Sequence, residues 1–216
     1  MASIRALALN CTLKPSPAPS SSDQLAREVL AELAEQGVDG DLVRVVDHDV
    51  RFGVSTDEGD GDGWPDIRAK LLSAQILIIA TPIWLGQPSS VCKMVLERLD
   101  AELSETDAEG RHLTYGKVAG VAVVGNEDGA HHTIGQVQQA LNEVGFTCAA
   151  AGTTYWVGEA LHTVDYRDAG PKPDTTGRTT KALALNSAHL ARLLAEQPYP
   201  PPGTGGAGVG PSRDPA

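Results

Sequence analysis

The sequence lacks the features that mark several large classes of protein. It has only three cysteines, Cys11, Cys92 and Cys148, which stand far apart among apolar neighbours, so neither a disulfide framework nor a cysteine metal site is expected. Its net charge of −11 disfavours nucleic acid, whose phosphates need a basic surface. No apolar run approaches the roughly 18 residues of a membrane span, and the N-terminus does not resemble a signal peptide. We therefore expect a reduced, cytoplasmic protein that binds neither nucleic acid nor membrane.

Five apolar stretches have the length and composition of strands, and helical patterns separate them. They cover residues 4–9, 41–46, 76–81, 117–124 and 146–151. Parallel neighbours need helical crossovers, so this alternation predicts an α/β fold with a doubly wound, five-stranded parallel sheet. A last helix is predicted over about 179–196. The Pro- and Gly-rich end, 197–216, is predicted to be a disordered tail behind a single domain, 1–196.

The loop after the first strand has hydroxyl groups where dinucleotide-binding folds have glycines. It contains no glycine at all, which favours the strand order 2-1-3-4-5 over the dinucleotide-binding order. Ser21-x-x-Gln24 fits a capping box, and one interpretation is simply a well-started helix. The other is a monoester phosphate site, because hydroxyls, free backbone N–H groups and the helix dipole converge at this point. The candidate phosphate ligands are Thr12, Lys14, Ser20, Ser21 and Ser22.

Two further loops follow predicted strands at the same edge of the sheet, where ligands bind in such folds. Behind the apolar run 76–79, the chain turns through Pro82, Trp84 and Gly86 before a helix that is predicted to begin at 88. This turn is either a packed corner or a clamp for a flat ligand. The loop 125–132 offers two glycines and an asparagine. Its two adjacent histidines have no further ligands in the pattern, so no metal site is expected.

A long acidic segment, 47–66, separates the second strand from the next helix. Its carboxylates do not have the spacing of an EF-hand loop. A solvated loop is the favoured interpretation, and a cover over the ligand or a contact with a second subunit is the alternative. The aromatic pair Tyr155-Trp156 after the last strand packs in the core, lies over a ligand or forms a contact with a second subunit.

With these motifs the chain resembles the flavodoxin-like superfamily, and more closely the NAD(P)H-dependent FMN reductases and iron–sulfur flavoproteins, over residues 4–160. The motifs are Thr-Pro-Ile-Trp-x-Gly-x-Pro-Ser-Ser-x-x-x-Lys and, further on, Gly-Asn-Glu-Asp-Gly. Segment 47–66 has no cysteine, which excludes the iron–sulfur cluster. The resemblance implies FMN at the carboxyl edge of a flavodoxin-like sheet. It places the phosphate on the five candidate ligands named above. It places one side of the isoalloxazine ring against Pro82, Ile83, Trp84, Leu85 and Gly86. The other side of the ring then contacts Asn126, Glu127, Asp128 and Gly129.

The same resemblance implies an oxidoreductase that takes hydride from NAD(P)H, a transient co-substrate, and reduces a flavin, a quinone or a similar small-molecule acceptor. The flavin supplies the chemistry, so no catalytic side chain is expected. The family also implies a homodimer or homotetramer. Two alternatives stay open: a flavodoxin-type electron carrier without NAD(P)H activity, and a flavin-free descendant used for protein interaction.

Overall fold

The computed structural model describes residues 4–160, 162–171 and 174–203, in which helices pack on both faces of a sheet. The strands are β1 (Arg5–Asn10), β2 (Asp39–Arg44), β3 (Ile76–Trp84), β4 (Gln87–Pro88), β5 (Val118–Gly125) and β6 (Thr147–Val157). The helices are α1 (Ser21–Glu35), α2 (Trp64–Ser73), α3 (Ser90–Leu99), α4 (Ala130–Glu143) and α5 (Asp174–Glu196). Within these residues no helix is long and apolar enough to cross a membrane.

The sheet is parallel, with the order β2-β1-β3-β5-β6, and β4 pairs antiparallel with the end of β3. The α/β class and the parallel sheet are therefore confirmed. The numbering differs from the predicted 2-1-3-4-5 because Gln87–Pro88, expected at the start of a helix, forms the short extra strand β4. The last strand is also longer than predicted, so Tyr155 and Trp156 lie within β6 rather than after it.

The core has one layer on each face of the sheet. Leu25, Val29 and Leu33 of α1 pack beside Leu183 and Ala188 of α5 on one face. The other face is covered by α2, α3 and α4. Strands β1 and β3 are neighbours, yet the helices that follow them lie on opposite faces. The loops after these two strands therefore diverge, and such a topological switch point leaves a crevice at the carboxyl edge of the sheet.

The acidic segment is not simply solvated, because it folds around a buried ion pair. Arg98 of α3 and Asp62 of the loop are both completely buried, and their side chains are 2.7 Å apart. The Arg98 guanidinium also donates to the backbone carbonyls of Arg51 and Ser55 and lies 5.6 Å from the centre of the Trp64 ring. Arg98 therefore stabilises the acidic loop.

The Asp62 carboxylate accepts four hydrogen bonds. Besides Arg98, its donors are the backbone N–H groups of Arg51, Glu58 and Trp64. Burial raises the pKa of Asp62, but these donors outweigh it, and the net pKa lies well below the ordinary value of 3.8. Asp62 therefore stays ionised in the folded protein.

The first residues of the predicted tail lie against the domain. The Tyr199 hydroxyl is 2.9 Å from the Thr147 hydroxyl, and its ring packs on Tyr115 with centroids 5.7 Å apart. Arg111 donates to the Tyr199 carbonyl oxygen. The prediction of disorder stays a prediction for 204–216, which lie outside the described residues.

We expect Arg98→Met to lower the free energy of unfolding by about 3 kcal/mol, because it leaves the buried Asp62 carboxylate without its charged partner. Urea denaturation measures this loss. The matched control is Arg5→Met, which removes the exposed pair with Asp41 and should cost less than about 1 kcal/mol. Equal losses in the two variants would contradict the account of the loop.

The same ion pair predicts a pH dependence of stability. Because the pKa of Asp62 is lowered on folding, its contribution is complete above the ordinary pKa of 3.8 and is lost as the pH falls through the folded-state value. The parent protein should therefore lose stability on acidification faster than the Asp62→Asn variant. If the two proteins lose stability equally as the pH falls, Asp62 has no such role.

Candidate functional site

A cleft that is partly open to solvent lies at the switch point between β1 and β3. It brings together most of the residues that the sequence predicted for the cofactor. Those that line it are Thr12, Lys14, Ser20, Ser21, Ser22, Pro82, Ile83, Trp84, Asn126 and Glu127. Leu85, Gly86, Asp128 and Gly129 do not line it. Six lining residues were not predicted as ligands: Leu13, Val124, Gly125, Trp156, Asp165 and Tyr166.

One end of the cleft is formed by the start of α1. Ser20, not Ser21, is the N-cap: its hydroxyl accepts from the backbone N–H of Asp23 at 3.2 Å, so the predicted capping box is wrong by one residue. The backbone N–H groups of Ser21 and Ser22 find no acceptor among the described residues, as is usual for the first turn of a helix. These free donors lie at the positive end of the helix dipole, which favours an anion.

The loop that leads to this helix is shaped by Asn10, the last residue of β1. Asn10 is completely buried. Its Oδ1 atom accepts from the Thr12 backbone N–H and the Ser22 hydroxyl, at 3.2 and 2.8 Å, and its Nδ2 group donates to Asp23. A buried amide with all these partners satisfied fixes the loop in one arrangement. Sequence patterns alone do not point to Asn10, because its effect depends on residues of the following helix.

The outer side of the loop is held by residues of and after β2. Arg44 donates to the Ala18 carbonyl oxygen at 2.7 Å and forms an ion pair with Asp23 at 3.4 Å. Ser16 donates through its hydroxyl and its backbone N–H to Asp47. These hydrogen bonds lower the pKa of Asp47, which therefore remains an acceptor. Arg44 is occupied with the loop itself, and Lys14 is the cation among the residues that line the cleft.

The other end of the cleft is formed by the β3–β4 hairpin. Its two-residue turn, Leu85-Gly86, has φ angles of 53° and 72°, as a type I′ turn requires. Glu127 accepts from the Leu85 backbone N–H at 2.8 Å, so this carboxylate positions the hairpin from the β5 loop. A Cβ on Gly129 would lie 2.7 Å from the Gly86 Cα atom. The two glycines therefore allow the two loops to touch.

Trp84 is the aromatic side chain of this end. It is 53 % exposed although it is large and apolar, and it lines the cleft beside Pro82 and Ile83. Asn126, from the β5 loop, donates through Nδ2 to the His162 carbonyl oxygen at 2.6 Å. An exposed aromatic ring next to a narrow cleft is suited to a flat ligand.

The neighbouring histidines are separate from the cleft. His131 packs edge-on against Tyr155, with ring centroids 5.1 Å apart, and His132 contacts Gln87 and Gln136. Both are exposed, in line with the solvated interpretation. Across the part of the chain that the structure describes, no group of three or more His, Cys, Asp or Glu side chains is arranged for a metal ion.

A third side of the cleft comes from β6 and the loop after it. Trp156 and Tyr166 are both buried, and their ring centroids are 5.4 Å apart. The Tyr166 hydroxyl donates to Glu28 of α1, and burial raises the pKa of Tyr166 to about 12. Asp165 lines the cleft next to this pair. No sequence pattern points to Asp165 or Tyr166, because nothing local shows that this loop returns to α1.

The residues present fit FMN. Free backbone N–H groups, serine hydroxyls and Lys14 at one end suit a phosphate monoester. Trp84 and the apolar positions at the other end suit an isoalloxazine ring. The charged side chains that line the cleft besides Lys14 are Glu127 and Asp165, so nothing at the site supports a second phosphate.

Comparison with known proteins also indicates a protein that binds FMN. The family model for NADPH-dependent FMN reductase matches residues 4–160. A crystal structure of RosB with bound 8-demethyl-8-formylriboflavin-5′-phosphate superposes with a TM-score of 0.84 at 33% identity, covering 91% of this chain and 82% of that one. The apo form of the NADH:FMN oxidoreductase EMOB, with a TM-score of 0.62, 16% identity and coverage of 88% and 90%, shares the fold.

Two curated proteins are similar over most of this chain. One is the 8-demethyl-8-aminoriboflavin-5′-phosphate synthase of Streptomyces davaonensis, with 34% identity over 207 residues, 91% of this chain and 80% of that one. The other is the divalent metal cation transporter MntH of Mycobacterium bovis, with 38% identity over 198 residues; the match covers 88% of this chain but only 29% of the transporter. The chain belongs to the NADPH-dependent FMN reductase family, with a flavodoxin-like fold, FMN as its cofactor and NADPH as the co-substrate that the family name gives.

Proposed function

We propose that this protein is an FMN-dependent oxidoreductase that takes hydride from NAD(P)H and reduces a flavin, a quinone or a similar small acceptor. The observation that supports it is a single cleft, in a chain of this family, with an anion site at one end and an exposed aromatic ring at the other. FMN supplies the hydride-accepting ring when bound. The protein binds the phosphate, orients the ring and limits the access of water.

Different residues of the cleft have different roles in binding FMN. Ser20, Ser21, Ser22 and Lys14 would hold the phosphate, while Trp84 and the backbone of the β3–β4 hairpin would contact the ring. Glu127 keeps the hairpin in place through the Leu85 N–H. Because part of the cleft is open, a nicotinamide and then an acceptor can reach the ring in turn. No proton-transferring side chain is required for hydride transfer to a flavin.

A second candidate is chemistry on the flavin itself. It is supported by the 34% identity, over most of both chains, to an enzyme named for making 8-demethyl-8-aminoriboflavin-5′-phosphate. In that case FMN would be the substrate rather than a retained cofactor. A flavodoxin-type electron carrier is the third candidate, and it differs in having no activity with NAD(P)H.

One experiment separates these candidates. The purified protein with FMN is mixed with NADPH or NADH without oxygen, and then with a quinone; the flavin is afterwards analysed by mass spectrometry. We expect the flavin absorbance to bleach, to return on addition of quinone, and the flavin mass to be unchanged. No bleaching with either nucleotide would favour the carrier, and an altered flavin mass would favour flavin modification.

The start of α1 predicts separate effects of two neighbouring serines. Ser20→Ala removes the N-cap and should lower the free energy of unfolding by about 1 kcal/mol, whereas Ser21→Ala should leave it unchanged. Both variants should bind FMN more weakly, by about threefold to tenfold, and bind riboflavin as the parent does. Fluorescence quenching and thermal unfolding measure these quantities. An equal loss of riboflavin and FMN affinity in these variants would contradict the phosphate site.

FAD should bind to the parent protein at least about tenfold more weakly than FMN.

We also propose that the protein is a homodimer whose second subunit packs beside the ring end of the cleft. The support is exposed apolar surface there: Trp84 is 53 % and Leu85 is 91 % exposed. Of the aromatic pair considered as a cover from the sequence, Trp156 is buried and lines the cleft of its own subunit, and Tyr155 packs against the core.

The expected mass in light scattering is about twice the 22.6 kDa of one chain. Leu85→Arg should shift the protein toward the monomer, because a charge replaces apolar contact area. The matched control is Leu185→Arg, at a 51 % exposed position of α5, which should leave the mass unchanged. A monomeric parent would refute the dimer.

A further inference from the structure

The side of the cleft that the sequence did not predict is rigidly positioned. The loop after β6, described over 158–160 and 162–171, contacts helix α1 and the β5 loop. Tyr166, 1 % exposed, donates its hydroxyl to Glu28 of α1, which begins at the anion site. The His162 carbonyl oxygen accepts from Asn126 of the β5 loop. Trp156 packs on Tyr166 from within the sheet. Any group that this loop presents to the cleft therefore has a fixed place relative to both ends of the ligand.

Asp165 is the carboxylate on this side. It lines the cleft, and 42 % of its side chain is exposed. Its nearest cation is Arg167, at 3.6 Å, which is longer than a hydrogen bond. Its backbone carbonyl accepts from Asp168 and Ala169, so the local turn is made by the main chain and does not use the carboxylate. The carboxylate oxygens are thus available to a hydrogen-bond donor in the cleft. Glu127, the other carboxylate at the site, already accepts from Leu85.

The chemistry of FMN limits what Asp165 can accept from. The phosphate is excluded as a partner because two anions repel. The methylated benzene edge of the ring has no donor, and the remaining donors of the oxidised molecule are the ring N3–H and the ribityl hydroxyls. We propose that Asp165 binds the ribityl hydroxyls of FMN and so makes the site select a flavin with its sugar-alcohol chain. This inference rests on the proposed flavin function.

Ligands that lack parts of FMN test the proposal. FMN, riboflavin and lumiflavin, which has the ring but no ribityl chain, are titrated by fluorescence quenching into flavin-free parent protein, Asp165→Ala and Asp165→Asn. The matched control is Asp168→Ala, which removes the same charge from the same loop at a position that does not line the cleft. Thermal unfolding of each variant confirms that it is folded.

We expect Asp165→Ala to weaken the binding of FMN and riboflavin equally, by about tenfold or more, the scale of a hydrogen bond to a charged group, and to leave the binding of lumiflavin unchanged. The FMN affinity of Asp165→Asn should lie between those of the parent and of Asp165→Ala, because its amide oxygen still accepts a hydrogen bond. The FMN affinity of Asp168→Ala should match that of the parent.

Three results for Asp165→Ala would overturn the proposal. The first is an unchanged affinity for FMN, and the second is a higher affinity, which would place the carboxylate beside the phosphate. The third is an equal loss of affinity for lumiflavin, which would place the carboxylate at the ring. A parent protein that binds no flavin at all would instead refute the proposed function, and this inference with it.

Discussion

The site depends on the side-chain amide of Asn10. It stands completely buried at the end of β1, where the chain leaves the sheet, and it satisfies donors and acceptors on both sides of the loop that follows. Because its partners include Ser22 and Asp23, the amide connects the last residue of the strand to the first turn of α1. The free N–H groups of that turn are therefore held toward the crevice that the sheet topology creates. An unsatisfied amide at this depth would be costly, so the loop has little freedom to rearrange.

The two ends of the cleft are stabilised by different kinds of interaction. The anion end is a network of neutral and charged hydrogen bonds, to which Arg44 and Asp47 contribute from β2 and the residues after it. The ring end is a close approach of backbone to backbone, made possible by Gly86 and Gly129 and held by the Glu127 carboxylate. Neither end requires a side chain that performs chemistry. This arrangement is typical of an enzyme whose cofactor reacts while the protein selects and orients it.

The parts of the site that follow a strand directly could be predicted from sequence. Trp84 ends the apolar strand β3, and Ser22 lies at the start of the helix that follows β1. The carboxyl edge of a parallel sheet brings such segments together whatever the details of packing. Asp165 and Tyr166 could not be predicted, because their place depends on a hydrogen bond to Glu28, which is 138 residues away. The role of Asp62 was missed for the same reason: a carboxylate in an acidic loop is indistinguishable from a solvated one until its buried partner, Arg98, is known.

The central claim is that the cleft binds FMN with the phosphate at the start of α1 and the ring at the β3–β4 hairpin. A crystal structure of the protein with FMN tests it most directly. The account predicts phosphate oxygens about 3 Å from the backbone nitrogens of Ser21 and Ser22, and the isoalloxazine ring against Trp84. A phosphate bound elsewhere, a reversed ligand with the ring at the serine loop, or an empty cleft at saturating FMN would contradict it.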